Sequence, residues 1–260
     1  MYDSRGKGVL VTGAAGDIGE GIARLFLERG ARVHLTDIAE DQLSRRADAL
    51  GTLGTVTTST ADLADPAAVQ ALAAEAIVRL GRVDILVNNA AIQVEGDVES
   101  CSPELFDRSY AINVRAPYLL AQAVVPAMRA AGGGAIINIG SVHATAPGPK
   151  RLAYATTKTA LLGMTRALAV DLGRDNIRVN AISPGATLTD QLRAAWQGQD
   201  TGVDVMAHAV RQHPLGRIAE VADVAEAVVY IAESSFVSGT ELRVDGGFLA
   251  ALRLLPQSSP

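Results

Sequence analysis

Short apolar runs alternate with stretches of helical periodicity along most of this chain. Residues 8–12 form an apolar, β-branched run that predicts a strand. The run breaks at Gly13-Ala14-Ala15-Gly16. Apolar positions then resume at helical spacing through Ile18, Ile22, Leu25 and Phe26, until Gly30 stops them. The same rhythm predicts further strands over 32–36, 55–58, 85–87, 135–139, 177–182 and 241–244. It predicts helices over 39–50, 66–80, 103–131, 153–172 and 221–231, the fourth of this whole series bending near Pro117. Strands that alternate with helices imply a parallel sheet covered on both faces, and continuously apolar strands agree, because they are buried on two sides. The expected fold class is therefore α/β, a single-domain doubly wound parallel sheet of about seven strands spanning 1–260. The polar region 186–214 breaks the alternation and reads as a mobile lid. The tail 249–260 reads either as packed on a partner or as frayed.

Composition narrows the function. Hydrophobic residues make up 48% of the 260 positions and aromatics only 4%, so the core is expected to be aliphatic. The net charge of −5 argues against a nucleic-acid partner. No run approaches twenty unbroken apolar residues, so no membrane span is expected, and the lone Cys101 fits a reducing compartment. A cytoplasmic location follows as the default expectation. His34, His143, His208 and His213 show no metal-ligand spacing.

Tyr154 and Lys158 stand one helical turn apart, with Ser141 upstream. A free phenol titrates near 10, so ionising it at neutral pH costs roughly 4 kcal/mol. A neighbouring cation lowers that cost, and a hydroxyl can hold the substrate oxygen beside the phenol. The trio suggests proton transfer to or from an alcohol or carbonyl. Taken alone, a Tyr-x-x-x-Lys pair is more often a surface feature.

The glycine-rich turn from Gly13 to Gly19 sits between the first strand and the first helix, where backbone N–H groups favour a pyrophosphate. Asp37 ends the second strand, where a carboxylate can accept from a ribose diol and repel a 2′-phosphate. No Arg or Lys lies within 14–17, so NAD is expected over NADP. Asp37 also has a simpler reading as a helix cap.

Together these residues resemble the short-chain dehydrogenase/reductase family over nearly the whole chain. The matching motifs are Thr12-Gly13-x-x-x-x-Ile18-Gly19, Asp62-Leu63, Asn88-Asn89-Ala90, Asn113, Ser141, Tyr154-x-x-x-Lys158, Pro184-Gly185 and Asp245-Gly246-Gly247. The resemblance implies a Rossmann fold, with Gly13, Ile18 and Gly19 along the pyrophosphate and Asp37 with Ile38 at the adenosine ribose. Asp62 and Leu63 would meet the adenine, while Asn89 and Ala90 would pass near the ribose. Tyr154 would be the general acid/base, Ser141 would orient the substrate oxygen, and Lys158 would hold the nicotinamide ribose and lower the Tyr154 pKa. Asn113 would anchor a water in a proton relay. Pro184, Gly185, Thr187 and Thr189 would hold the nicotinamide. The family usually forms homotetramers through the two long helices.

Two positions depart from the family pattern. Asp17 replaces the middle glycine of the turn and is expected to cap the first helix and point away from the cleft, with Gly16 supplying backbone freedom. Ala91 replaces a glycine, for which a slight backbone adjustment is expected. The substrate is expected to meet Gln93, Ser141, His143, Arg151, Gln191 and Trp196. Gln93, His143, Arg151 and Trp196 also have plainer readings: His143 as a solvent-facing loop residue, Trp196 as lid packing, Arg151 as part of a solvated turn. Ser141-Val142-His143 looks like a segment of some sugar and hydroxy-acid dehydrogenases. The polar set favours a sugar, polyol or other small polar alcohol oxidised with NAD. An NADPH-dependent ketone or 3-oxoacyl reductase and a non-catalytic NAD-binding scaffold are the alternatives.

Overall fold

The computed structural model describes residues 3–197 and 204–251. Seven parallel strands form one sheet in the order β3-β2-β1-β4-β5-β6-β7. They are β1 (Gly8–Thr12), β2 (Arg32–Asp37), β3 (Val56–Thr60), β4 (Ile85–Asn88), β5 (Gly134–Ile139), β6 (Ile177–Pro184) and β7 (Glu241–Val244). Every residue of β1, β4, β5 and β6 is buried, which is why these strands read as unbroken apolar runs. On one face, α1 (Asp17–Glu28) and α9 (Val221–Glu233) bury Ile22, Phe26, Val224 and Val228, with α2 (Glu40–Leu50) adding Leu43 and Leu50. On the other, α3 (Pro66–Leu80) and α5 (Ala116–Ala130) bury Leu72, Leu80, Leu120 and Met128.

The chain crosses from β3 at one edge back to β4 beside β1, so order reverses between β1 and β4. The crevice beyond the carboxyl ends of those two strands is where an open α/β sheet takes its ligand. β2, β3, β4 and β6 run one or two residues further in that direction than periodicity predicts, carrying Asp37 and Pro184 to the crevice. The helix expected over 103–131 is divided. α4 (Pro103–Tyr110) passes through a π-helical turn, Ala111–Arg115, before α5 begins with Pro117 in its first turn. A proline there lacks the N–H that a continuous α-helix needs, and the wider turn absorbs the defect. The helix that carries Tyr154 and Lys158, α6, is Leu152–Leu172. The expected lid contains α7 (Asp190–Gln197) and α8 (Val205–Gln212); its residues 198–203, and 252–260 of the tail, lie outside the described residues.

Candidate active site

The turn after β1 is glycine-rich for steric reasons. Gly13 has φ +66°, and a Cβ there would stand 2.8 Å from Ala90 Cα and 2.9 Å from Asn89 Nδ2. A Cβ on Gly19 would stand 2.3 Å from the Gly13 carbonyl. Asn89 closes the turn by donating to the carbonyls of Thr12 (2.9 Å) and Gly13 (3.1 Å). Thr12 Oγ1 accepts from the amides of Asn89 and Ala90, both at 3.0 Å. The loops after β1 and β4 thus form one locked floor. Gly16 caps α1 with no side-chain hydrogen bond, so the first-turn amides keep their capacity for an anion.

Two expectations about this turn are corrected. Asp17 does not cap α1, since it lies inside the helix at its first position. Its Oδ1 accepts from Arg46 Nη2 at 2.7 Å and its Oδ2 from the Asp190 amide at 2.6 Å, and the residue lines the cleft rather than pointing away. Gly16 is extended (φ −78°, ψ 157°), a conformation open to any residue, so it supplies no special freedom. Ala91 needs no unusual backbone either: among the described residues only Lys150 and Asn176 are non-glycines with positive φ. The Asp37 carboxylate accepts from the Ala15 amide (3.1 Å) and the Ala39 amide (3.0 Å), which fixes it at the rim of the same cleft. The Ala39 bond is the local, cap-like contact that a helix reading anticipates, and Asp37 makes it while still facing the cavity.

Ser141 follows β5, and its Oγ accepts from the His143 amide at 3.1 Å. Tyr154 and Lys158 come from the first turns of α6, with Lys158 Nζ 5.5 Å from the Tyr154 ring centroid. The ammonium donates to the Ile139 carbonyl at 2.6 Å, where β5 ends. Lys158 is buried, and desolvation lowers its pKa to about 8. The Tyr154 pKa is raised in the protein alone. Burial is the largest cause, opposed by the Ser141 hydroxyl and the positive field of Arg151. Desolvation of the phenolate thus sets the direction in the protein without its dinucleotide, against the two groups that favour ionisation, Ser141 and Arg151.

Asn113 occupies the π-helical turn. Its Nδ2 donates to the Ile92 carbonyl and to Thr157 Oγ1, each at 3.0 Å, and its Oδ1 accepts from the Ile92 amide at 2.9 Å. Both amide hydrogens are committed, so the side chain ties the loop after β4 to α6.

One cleft of about 540 Å³ is bordered by Gly13, Asp17, Ile18, Gly19, Asp37, Asn89, Ala90, Gln93, Ser141, Tyr154, Lys158, Pro184, Thr189 and Gln191. Ile38, Asp62, Leu63, Gly185 and Thr187 are not part of its wall. Ile38 is 58% exposed; Asp62 accepts from the Ala64 amide (2.9 Å) and pairs with Arg108 (3.4 Å); Leu63 and Thr187 are buried. Gly185 packs against the loop after β7, where a Cβ would meet Asp245 at 3.1 Å. His143 and Arg151 border an adjoining cavity of about 590 Å³ with Gly96 and Lys150. His143 Nδ1 accepts from the Gly148 amide (3.2 Å), which puts its proton on Nε2. Its ring lies edge-on to Tyr154 at 6.0 Å. Burial and Arg151 lower the His143 pKa, so the ring is neutral at pH 7. Arg151 pairs with Glu95 at 2.7 Å rather than lying in a free solvated turn. Trp196 is half-buried and borders neither cavity.

Sequence reasoning missed Gln42, Arg46 and Asp190, which also border the cleft. Gln42 and Arg46 are one turn apart on α2 and both donate to the Ala15 carbonyl, at 2.9 and 3.4 Å. The available signal was this polar i, i+4 pair flanking buried Leu43 in the helix after Asp37. A cation thus borders the same cleft as Asp37, although none lies within 14–17.

A family model described as "Enoyl-(Acyl carrier protein) reductase" matches residues 13–249. A short-chain dehydrogenase/reductase of Serratia marcescens superposes with a TM-score of 0.85 at 33% identity, covering 95% of this chain and 99% of that one. The chain belongs to the short-chain dehydrogenase/reductase family. This dehydrogenase/reductase is 36% identical to "Probable galactose dehydrogenase GalD" of Rhizobium meliloti, over 94% of its own length and 96% of the relative's. It is 37% identical to the D-threitol dehydrogenase of Mycolicibacterium smegmatis, over 94% and 93%. Among solved structures, a blue fluorescent protein from a metagenomic library in complex with NADPH aligns at 37% identity, TM-score 0.85, covering 95% and 99%. A 7α-hydroxysteroid dehydrogenase complexed with NADH aligns at 35% identity, TM-score 0.87, covering 94% and 96%. The dehydrogenase/reductase is an oxidoreductase, and no helix among its described residues is long and apolar enough to cross a membrane.

Proposed function

We propose that this protein interconverts a secondary alcohol and a ketone by NAD-linked hydride transfer, on a sugar, polyol or other small polar hydroxy compound. The observation that carries the reading is the single cleft with Ser141, Tyr154 and Lys158 at one end and Asp37 at the other. The cleft suits a dinucleotide: Gly13 and Gly19 leave no room for side chains, and the first-turn amides of α1 are uncapped. The dinucleotide, when bound, supplies the hydride acceptor. Tyr154 Oη takes the hydroxyl proton while Ser141 Oγ hydrogen-bonds the same substrate oxygen. Lys158 spends one N–H on Ile139 and keeps two for ribose hydroxyls, and its charge favours the phenolate. Asn113 fixes the loop that carries Gln93, and any part it takes in a proton relay falls to its backbone carbonyl.

Polar Gln93 and Gln191 on the cleft wall, and neutral His143 beside Tyr154, support a hydroxylated substrate, as do relatives named for galactose and threitol. A second reading, NADPH-linked ketone reduction, is favoured by Arg46 in the cleft and opposed by Asp37. A homotetramer built through α4–α5 and α6 is supported by exposed Leu105, Tyr110, Tyr118 and Val170, and by Gly163, where a Cβ would meet nothing. The deciding experiment follows nicotinamide absorbance with NAD and NADP across polyols, sugars, hydroxy acids and aliphatic secondary alcohols, alongside Tyr154→Phe. Turnover of a polyol or sugar with NAD, lost in the variant, is expected. Turnover with NADP alone, or undiminished turnover in Tyr154→Phe, would overturn the proposal.

A further inference from the structure

The cation that sequence reasoning missed stands beside the carboxylate that sets cofactor choice. Ala15 joins them: its amide donates to Asp37 Oδ2 (3.1 Å), and its carbonyl accepts from Arg46 Nε (3.4 Å) and Gln42 (2.9 Å). Arg46 and Asp37 therefore flank one residue of the glycine-rich turn, and both border the cleft. A guanidinium in that position is a ready ligand for a phosphate on the adenosine ribose, because its fork matches phosphate oxygens. It is already occupied. Arg46 Nη2 bonds Asp17 Oδ1 at 2.7 Å, and Nη1 bonds Glu20 Oε2. These side chains are only 26%, 19% and 15% exposed, so solvent screening of the three-way pair is incomplete. Arg24 shares Glu20 at 2.8 Å, leaving three carboxylates against two guanidinium groups around the ribose end.

We infer that Arg46 is a masked 2′-phosphate ligand. Asp17 and Glu20 hold its guanidinium, and this masking acts with Asp37 to discriminate against NADP. Asp17, the departure from the family glycine, is then one half of a specificity device whose other half is supplied by α2. The second Asp17 oxygen, on the Asp190 amide, keeps the carboxylate in register for Arg46. The inference rests on the NAD reading above.

Isothermal titration of NAD and NADP into the full chain tests it, with four proteins: wild type, Arg46→Ala, Asp17→Gly/Glu20→Gln, and the triple variant adding Arg46→Ala. Unmasking should tighten NADP at least tenfold relative to any change in NAD affinity. Arg46→Ala should erase that gain in the triple variant and alter wild-type NADP affinity less than threefold. No gain on unmasking, a gain shared equally by NAD and NADP, or one that survives Arg46→Ala would overturn the masking. Asp17→Asn is the second variant should the double substitution unfold. It keeps an acceptor for the Asp190 amide while removing the charge, and should shift NADP in the same direction; no shift overturns the inference. Wild type binding NADP more tightly than NAD, with Arg46→Ala neutral, would instead sink the NAD reading alone.

Discussion

Acidifying the protein from pH 7 to pH 5 should loosen the sheet edge that carries Asp37, through His34. This residue is fully buried in β2, with Nδ1 2.7 Å from Thr57 Oγ1 and Nε2 2.9 Å from Ser59 Oγ, both on β3. The Ser59 hydroxyl bonds the Glu75 carboxylate, so it accepts from His34 Nε2–H, and Nδ1 accepts from Thr57. The neutral ring is satisfied at both nitrogens; a second proton would reverse one bond and place a charge where no water reaches. Burial accordingly lowers the pKa from 6.5 to about 4, with Glu75 opposing and Arg79 assisting. The unfolded chain binds this proton first as pH falls. The contribution to stability is thus complete above pH 6.5, declines below it, and is gone below pH 4. The full span corresponds to about 3 kcal/mol, of which about 2 kcal/mol is lost by pH 5. Urea unfolding followed by far-ultraviolet circular dichroism at pH 7, 6 and 5 reads this directly when compared with His34→Gln. The glutamine amide can bond hydroxyls but does not titrate. Wild type should lose about 2 kcal/mol more than the variant between pH 7 and 5. Parallel curves, differing by less than about 0.5 kcal/mol, would refute the reasoning.

Two further perturbations probe the site. Gly13→Ala should weaken NAD binding at least tenfold and lower the thermal midpoint by several degrees, since a methyl at φ +66° also meets Ala90 at 2.8 Å; unaltered calorimetric affinity and midpoint would contradict the steric account. Lys158→Met should abolish turnover yet leave the thermal midpoint unchanged or raised. The ammonium, with its pKa lowered to about 8, is charged at pH 7 against its desolvation; a drop of several degrees would mean that the bond to Ile139 outweighs that cost.

The family motifs were legible because each is a local string whose residue types answer a local demand. Gly13 and Gly19 are glycines because the loop after β4 and the turn itself crowd them. The lengths of α3 and β1 were legible for a similar reason: periodicity and the proline that opens α3 act within a few residues. The division of the helix over 103–131 was less so, since Pro117 signals a defect without saying that a π-helical turn precedes it.

What the sequence determined by itself is the alternation of strands and helices, the parallel α/β class and the family, all set by local periodicity and short motifs. Tertiary structure alone decided the partners of the charged groups. It turned Asp17 from the expected cap into the counterion of Arg46, 29 positions away, and committed the Asn113 amide to Ile92 and Thr157. It moved His143 and Arg151 to an adjoining cavity and raised the Tyr154 pKa through burial. Coulomb and desolvation energies depend on distance through space and on the solvent excluded there, and neither quantity is written in the spacing of residues along a chain.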